Sequence, residues 1–316
     1  MRASAVIRII IYVVIAIVCI TLLIGGLTGM FVGFKGFKGF KGLNLNPVRT
    51  TGGFDDSAYT VSSSGEIDAR EINRINVDWV SGSIKIEEYD GSTVKFYEDS
   101  TSSLDTDYRM RYLVKDGILS IRFAKGDIFN IGVFTTGQKN LVIKVPKNIS
   151  LDKLNVDTVS APVEIERVKA AGFTVNATSG QVKVNTGSPT DQIRVDTVSG
   201  EVTVESVNTK SINVNTVSGN IVLVGSYEDI DLDTTSGAVR LECEKVFSSA
   251  RVNTVSGSVN IYLPDNNGFE VRWDSVSGRF DCEFEVRQSG SSATYKEGGP
   301  TIRIDTVSGR MSIKKK

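Results

Sequence analysis

No histidine occurs anywhere in the 316 residues. The commonest general base and the commonest metal ligand are therefore both missing, which excludes imidazole-based catalysis and most zinc chemistry. Cysteine is nearly as scarce. Cys19 lies in an apolar run, and Cys243 and Cys282 fall two sequence repeats apart. Repeats stacked at roughly 4.8 Å would hold that pair about 10 Å apart, beyond the roughly 7 Å reach of a disulfide. Both are expected to be small apolar core fillers rather than catalytic thiols or metal ligands. A basic surface is missing too. The net charge is -1, and Arg2, Arg8, Lys35, Lys38 and Lys41 stand in residues 1–42 with no acid, leaving 31 basic and 37 acidic side chains beyond them. Such a balance argues against nucleic acid as a partner, since counterion release needs clustered Lys and Arg.

Ile9 to Val32 carries no formal charge over 24 residues. A helix of this length spans about 36 Å, enough for a hydrocarbon core of roughly 30 Å. It is longer than a signal-peptide core and has no convincing small-x-small site behind it, so a transmembrane helix over 9–32 is expected, with the lipid bilayer as its partner. Residues 1–8 form a short tail. Flanking charge is nearly balanced and does not orient the helix. Phe34, Lys35, Phe37, Lys38, Phe40 and Lys41 alternate with glycine over 34–42. Rings and lysine stems suit a membrane interface, while the glycines suit a flexible spacer, and both readings stand. Residues 33–57 are collar and linker.

What is abundant is one phrase. Val195-Asp196-Thr197-Val198-Ser199-Gly200 is followed by the alternating run Glu201-Val202-Thr203-Val204, and nine copies occur, with the corner position at 82, 161 (an alanine), 180, 200, 219, 237, 257, 278 and 309. Spacing near 20 residues marks a stacked repeat. Each copy has two short strands of period-two alternation joined at Ser-Gly, and no helical run separates them, which excludes βαβ units. The fold class expected is all-β, a parallel β-helix-like solenoid of coils of about 20 residues, irregular over 58–153 and regular over 154–316. In the irregular part, Tyr108 to Phe123 reads as a hairpin around Asp116-Gly117, and Leu141–Pro146 as a strand. Gln288 to Pro300 reads as a loop leaving the stack. Lys314-Lys315-Lys316 reads as a charged guard on an open edge.

Four residues before each corner stands Asp78, Asp157, Asn176, Asp196, Asn215, Asp233, Asn253, Asp274 or Asp305, alternating strictly from 157 to 274. Stacked carboxylates about 5 Å apart repel, whereas an intervening Asn can donate to both neighbours. The column is expected to be a structural hydrogen-bonded ladder. A cation row is the rival reading, but calcium needs six to eight converging oxygens and the glycine–aspartate nonapeptide is absent. Strict alternation puts Val198 on the same side as Asp196, so either a bulge intervenes or a valine row faces outward. No catalytic, cofactor-binding or metal-binding residues and no cofactors are expected.

The repeats, together with Asp116-Gly117-Ile118-Leu119-Ser120-Ile121, Leu141-Val142-Ile143-Lys144-Val145-Pro146-Lys147 and Gly299-Pro300-Thr301-Ile302-Arg303-Ile304, resemble the bacterial putative-adhesin, or toast-rack, family over about 58–314. The resemblance implies a β-helix-like domain displayed outside a bacterial membrane, sometimes tied to envelope-stress systems, with no catalytic residues. It places the tail inside and the large domain outside the cytoplasm. Three functions are weighed: a surface binding or scaffold module engaging an envelope protein or cell-wall polymer, a regulatory partner in envelope-stress signalling, and, least favoured, a carbohydrate-active β-helix enzyme.

Overall fold

The computed structural model describes residues 56–125 and 138–316. The expected membrane helix 9–32 and the collar residues Phe34, Lys35, Phe37, Lys38, Phe40 and Lys41 lie outside the described residues. Among those described, no helix is long and apolar enough to cross a membrane.

Two parallel ladders face each other across a Val/Ile core. The strands before the corner stack in the order Ile118–Arg122, Arg74–Trp79, Leu151–Thr158, Ala170–Ser179, Thr190–Ser199, the later half of Val202–Thr216, the later half of Ile221–Thr234, Ser249–Ser256, Thr301–Ser308 and Gly268–Ser275. The strands after the corner follow the same order, from Lys139–Pro146 through Ile84–Tyr89 to Arg310–Lys315 and Arg279–Cys282. Ten rungs at about 4.8 Å give a stack on the order of 45 Å long. The alternation explains the core. Ile193, Val195, Val202 and Val204 are fully buried from opposite sheets, while Glu201 is exposed.

Three expectations are corrected. The first is the order. Coils do not stack in chain order at either end. The coil formed by Ile118–Arg122 and Lys139–Pro146 lies outside the coil of Arg74–Trp79 and Ile84–Tyr89, so it is a tenth copy hidden in the irregular third. At the far end the last coil of the chain wedges between its two predecessors. Cys243 and Cys282 are consequently three rungs apart, not two, and both thiols are free.

The second correction concerns Gln288–Pro300. Instead of leaving the stack, it folds as an antiparallel hairpin of Val286–Ser289 and Ser292–Lys296, laid along Gly268–Arg272. The third is the lysine tail, which does not belong to the outermost strand. Arg310–Ile313 pairs on both sides, Lys314 and Lys315 pair only with Tyr262 and Leu263, and the short strand Arg279–Cys282 is outermost. Physically, bulky rings close the ends where aliphatic ladders would face water. Trp273 stacks on Phe280 at 4.1 Å, and Phe269, Phe284 and Tyr295 cluster beside them. At the opposite end Trp79 meets Phe123 edge-on at 5.0 Å.

The expected hairpin is found, with Arg111–Lys115 antiparallel to Ile118–Arg122. Its turn places Asp116 at φ 52° and Gly117 at φ 76°, matching the right-handed twist of the strands it joins. The Val198 question is also settled. Register runs unbroken from Phe173↔Ile193 to Ser179↔Ser199, so a half-exposed Val/Thr row faces outward and no bulge intervenes.

The inside–outside pattern can be tested in denaturant. Val202→Asp buries an unpaired charge at a position with no exposure and should cost about 4 kcal/mol. Glu201→Lys, one residue away, should stay within about 0.5 kcal/mol.

Candidate functional site

The Asp/Asn column lies on the outer face of the first ladder. In space it reads Arg122, Asp78, Asp157, Asn176, Asp196, Asn215, Asp233, Asn253, Asp305 and Asp274. The alternation extends to Asp305, which the wedged coil brings beside Asn253 where Asp274 was expected, and it ends there, because Asp274 stacks on Asp305. Each Asn donates to one neighbour and not to both. Asn176, Asn215 and Asn253 give Nδ2–H to the Oδ1 of Asp157, Asp196 and Asp233, all at 2.6 Å. The ladder is therefore a series of Asp–Asn couples.

Burial pushes Asp157 and Asp233 above the usual carboxylate range, and the Asn bond pulls each partly back. Asp196 is fully buried beneath Arg194, whose Nε lies 2.7 Å from Oδ2. Arg303 covers Asp305 in the same way at 2.9 Å. These carboxylates are matched within their own face and run in a row, one per rung. Among the described residues no three or more acidic or thiol groups converge as a metal would require.

The couples fail at two junctions. Asp305 adjoins Asp274 at one end, and Asp78 adjoins Asp157 at the other, with no Asn between them. Burial first, and then the charge of Asp157, raise Asp78 to about 6 against the opposition of Arg122, 3.9 Å away.

The corner columns have separate physical causes. The N–H of Ser160, Ser179, Ser218, Ser236, Ser256 and Ser277 donates to the preceding rung's carbonyl, as in Ser218 to Val198 at 3.0 Å and Ser236 to Val217 at 2.9 Å. In Ser160 and Ser179 the hydroxyl reaches the same kind of acceptor, at 3.1 and 3.4 Å. At Gly219 and Gly237 the glycine is required by close approach rather than by turn conformation, whereas Gly82, Gly180 and Gly200 also take a positive φ. A Cβ on Gly219 would lie 1.9 Å from the carbonyl oxygen of Gly200, and one on Gly237 would lie 1.8 Å from that of Gly219. Neither residue has a positive φ.

One constellation was missed by sequence reasoning. Lys139 occupies the corner-glycine column of the hidden coil, with its carbonyl against Gly82, and turns its side chain into the end of the core. Its Nζ lies 2.7 Å from Glu98 Oε2, with both side chains almost wholly buried (0% and 2% exposed). The ammonium also donates to the carbonyls of Tyr108, at 2.7 Å, and Phe123. It lies 5.0 and 4.3 Å from the ring centres of Trp79 and Phe123. Burial lowers Lys139 to about 8 against the support of Glu98. A signal was present. Glu98 is in phase with the buried Val94 and Phe96, so alternation alone puts an acid inside.

A two-sheet parallel solenoid with a recurring Gly corner defines a β-strand repeat protein. The chain belongs to the toast-rack family: the model described as Toastrack DUF4097 matches residues 72–314. Among solved structures it is similar to a "putative lipid binding protein" from Parabacteroides distasonis, at 16% identity and TM-score 0.51, over 79% of this chain and 95% of that one. A "putative adhesin" from Parabacteroides merdae is 16% identical, with TM-score 0.44 and the same coverage. A "putative cell adhesion protein" from Clostridium sporogenes is 14% identical, with TM-score 0.29, over 82% and 100%. No curated protein matches the chain.

Two predictions follow from the column and the corner. Asp78 has a folded pKa above its unfolded value, so its contribution to stability is present at low pH and is lost as pH rises from about 4 through about 6. Asp78→Asn should remove that loss. Its side chain is 40% exposed, so solvent screening limits the gain at pH 7 to about 1 kcal/mol, read from melts across pH 4–7. At the corner, Gly219→Ala should cost about 3 kcal/mol. Gly172→Ala, whose added Cβ meets nothing nearer than 3.8 Å, should change stability by less than about 1 kcal/mol in the same denaturation assay.

Proposed function

We propose that the chain is a non-enzymatic display rod, tethered to a membrane by 9–32 and carrying its solenoid outside the cytoplasm, where it engages an envelope protein or a cell-wall polymer. The observation that carries this reading is the outer face itself. Its polar columns are spent on one another, Asn on Asp and Arg on Asp, over the seven rungs from Asp157 to Asp305. Such a face is stiff and repetitive, suited to presenting many equivalent contacts, with its charges already paired rather than aimed at one reacting atom. The tether rests on the uncharged 24-residue run, and the outside placement on membership of the toast-rack family.

Protease applied to intact cells carrying the full chain should degrade the solenoid while a cytoplasmic marker survives. Survival of the solenoid alongside that marker would overturn the placement.

A further inference from the structure

We propose that Lys139 and Glu98 are the two halves of a self-formed amide cross-link, Lys139 Nζ joined to Glu98 Cδ with release of one water. The two groups are in place for it. Nζ and Oε2 are 2.7 Å apart, and neither side chain meets solvent beyond 2%. The reactants are held on paired strands, with Ser100 opposite Lys139 and Glu98 opposite Leu141, so no diffusive encounter is needed. The rings of Trp79 and Phe123 wall the amine.

The carboxylate is set up unevenly. Oε2 accepts the Met110 backbone N–H at 2.9 Å, while Oε1 is buried with no hydrogen-bond partner among the described residues. In the reaction the ammonium passes one proton to the carboxylate, giving a neutral amine and a carboxylic acid. The amine lone pair then attacks Cδ and the C–N bond forms. Met110 N–H stabilises the charge that develops on Oε2. The C–Oε1 bond breaks, and Oε1 leaves as water with the acid proton and one amine proton. The amide N–H that remains faces the carbonyls of Tyr108 and Phe123, and Oε2 keeps Met110. Net charge is unchanged, and no oxidant or activating group is consumed.

The driving force is desolvation. Two charges buried against aromatic rings are replaced by a neutral amide whose hydrogen-bond partners are already present, and the water goes to bulk. Burial has brought the amine within reach of deprotonation near neutral pH. The cross-link would tie Thr93–Ser100 covalently to the outermost coil of the stack. Its chemistry is independent of the display reading, although resistance to peeling from that end would suit a tethered rod.

The test is the intact mass of the purified full chain after incubation at about pH 8, followed by tryptic mapping. A mass lower by one water is expected, with no cleavage after Lys139 and a branched peptide joining the Glu98 and Lys139 segments. Lys139→Arg and Glu98→Ala should both run at full mass. A folded wild-type chain at full mass overturns the proposal. So does a water loss mapped elsewhere, such as a cyclic imide at Asp90-Gly91 or Asp116-Gly117.

Discussion

The structure depends on how closely one rung can approach the next at the corner. Parallel strands about 4.8 Å apart need their turns to stack as tightly as their backbones. Here the corner glycines meet the previous rung's carbonyl at distances that leave no room for a methyl group. The Ser N–H closes the same contact from the other side. With that spacing held, Val and Ile fall into continuous inner ladders and the Asp/Asn column into an outer one. A wider corner would separate all of them together.

Stacking leaves a second problem, because a solenoid has two ends and its inner columns would meet water there. Both ends are closed by departure from chain order. A coil passes beyond its sequence neighbour, a hairpin covers part of the outermost rung, and aromatic rings replace Val and Ile. The two ends differ in how they bury polar groups. One has a ring stack beside an exposed short strand, while the other encloses the Lys139–Glu98 pair. A buried pair of this kind costs desolvation that hydrophobic packing would not incur. Its presence in a largely apolar core points to chemistry or specificity rather than stability.

Charge along the rod follows the same rung spacing. Like carboxylates one rung apart would repel, and Asn at every second rung turns that repulsion into a hydrogen bond. The Asp78–Asp157 junction shows the alternative, since burial and a like neighbour leave Asp78 hard to ionise. Arg122 partly offsets this from the hidden coil. Sequence spacing could not reveal that relation, because 122 becomes a neighbour of 78 only through the reversed order.

The sequence by itself determined the repeat, the all-β class, the inward and outward faces, the Asp/Asn alternation and the hairpin at Asp116-Gly117. All of these are local patterns of period two or period twenty, written in residues such as Val195, Asn215 and Gly200. Only the tertiary structure decided which coil lies on which, because the repeats are nearly interchangeable: the last two copies of the phrase both carry an aspartate in this column, Asp274 and Asp305. It also decided that Gln288–Pro300 would cover an edge and that Lys139, standing where a corner glycine belongs, would turn inward to Glu98. Those outcomes rest on what fills the open ends of the core. That depends on the bulk of Trp79, Phe123, Trp273 and Phe280 arriving from distant parts of the chain, and no local spacing encodes it.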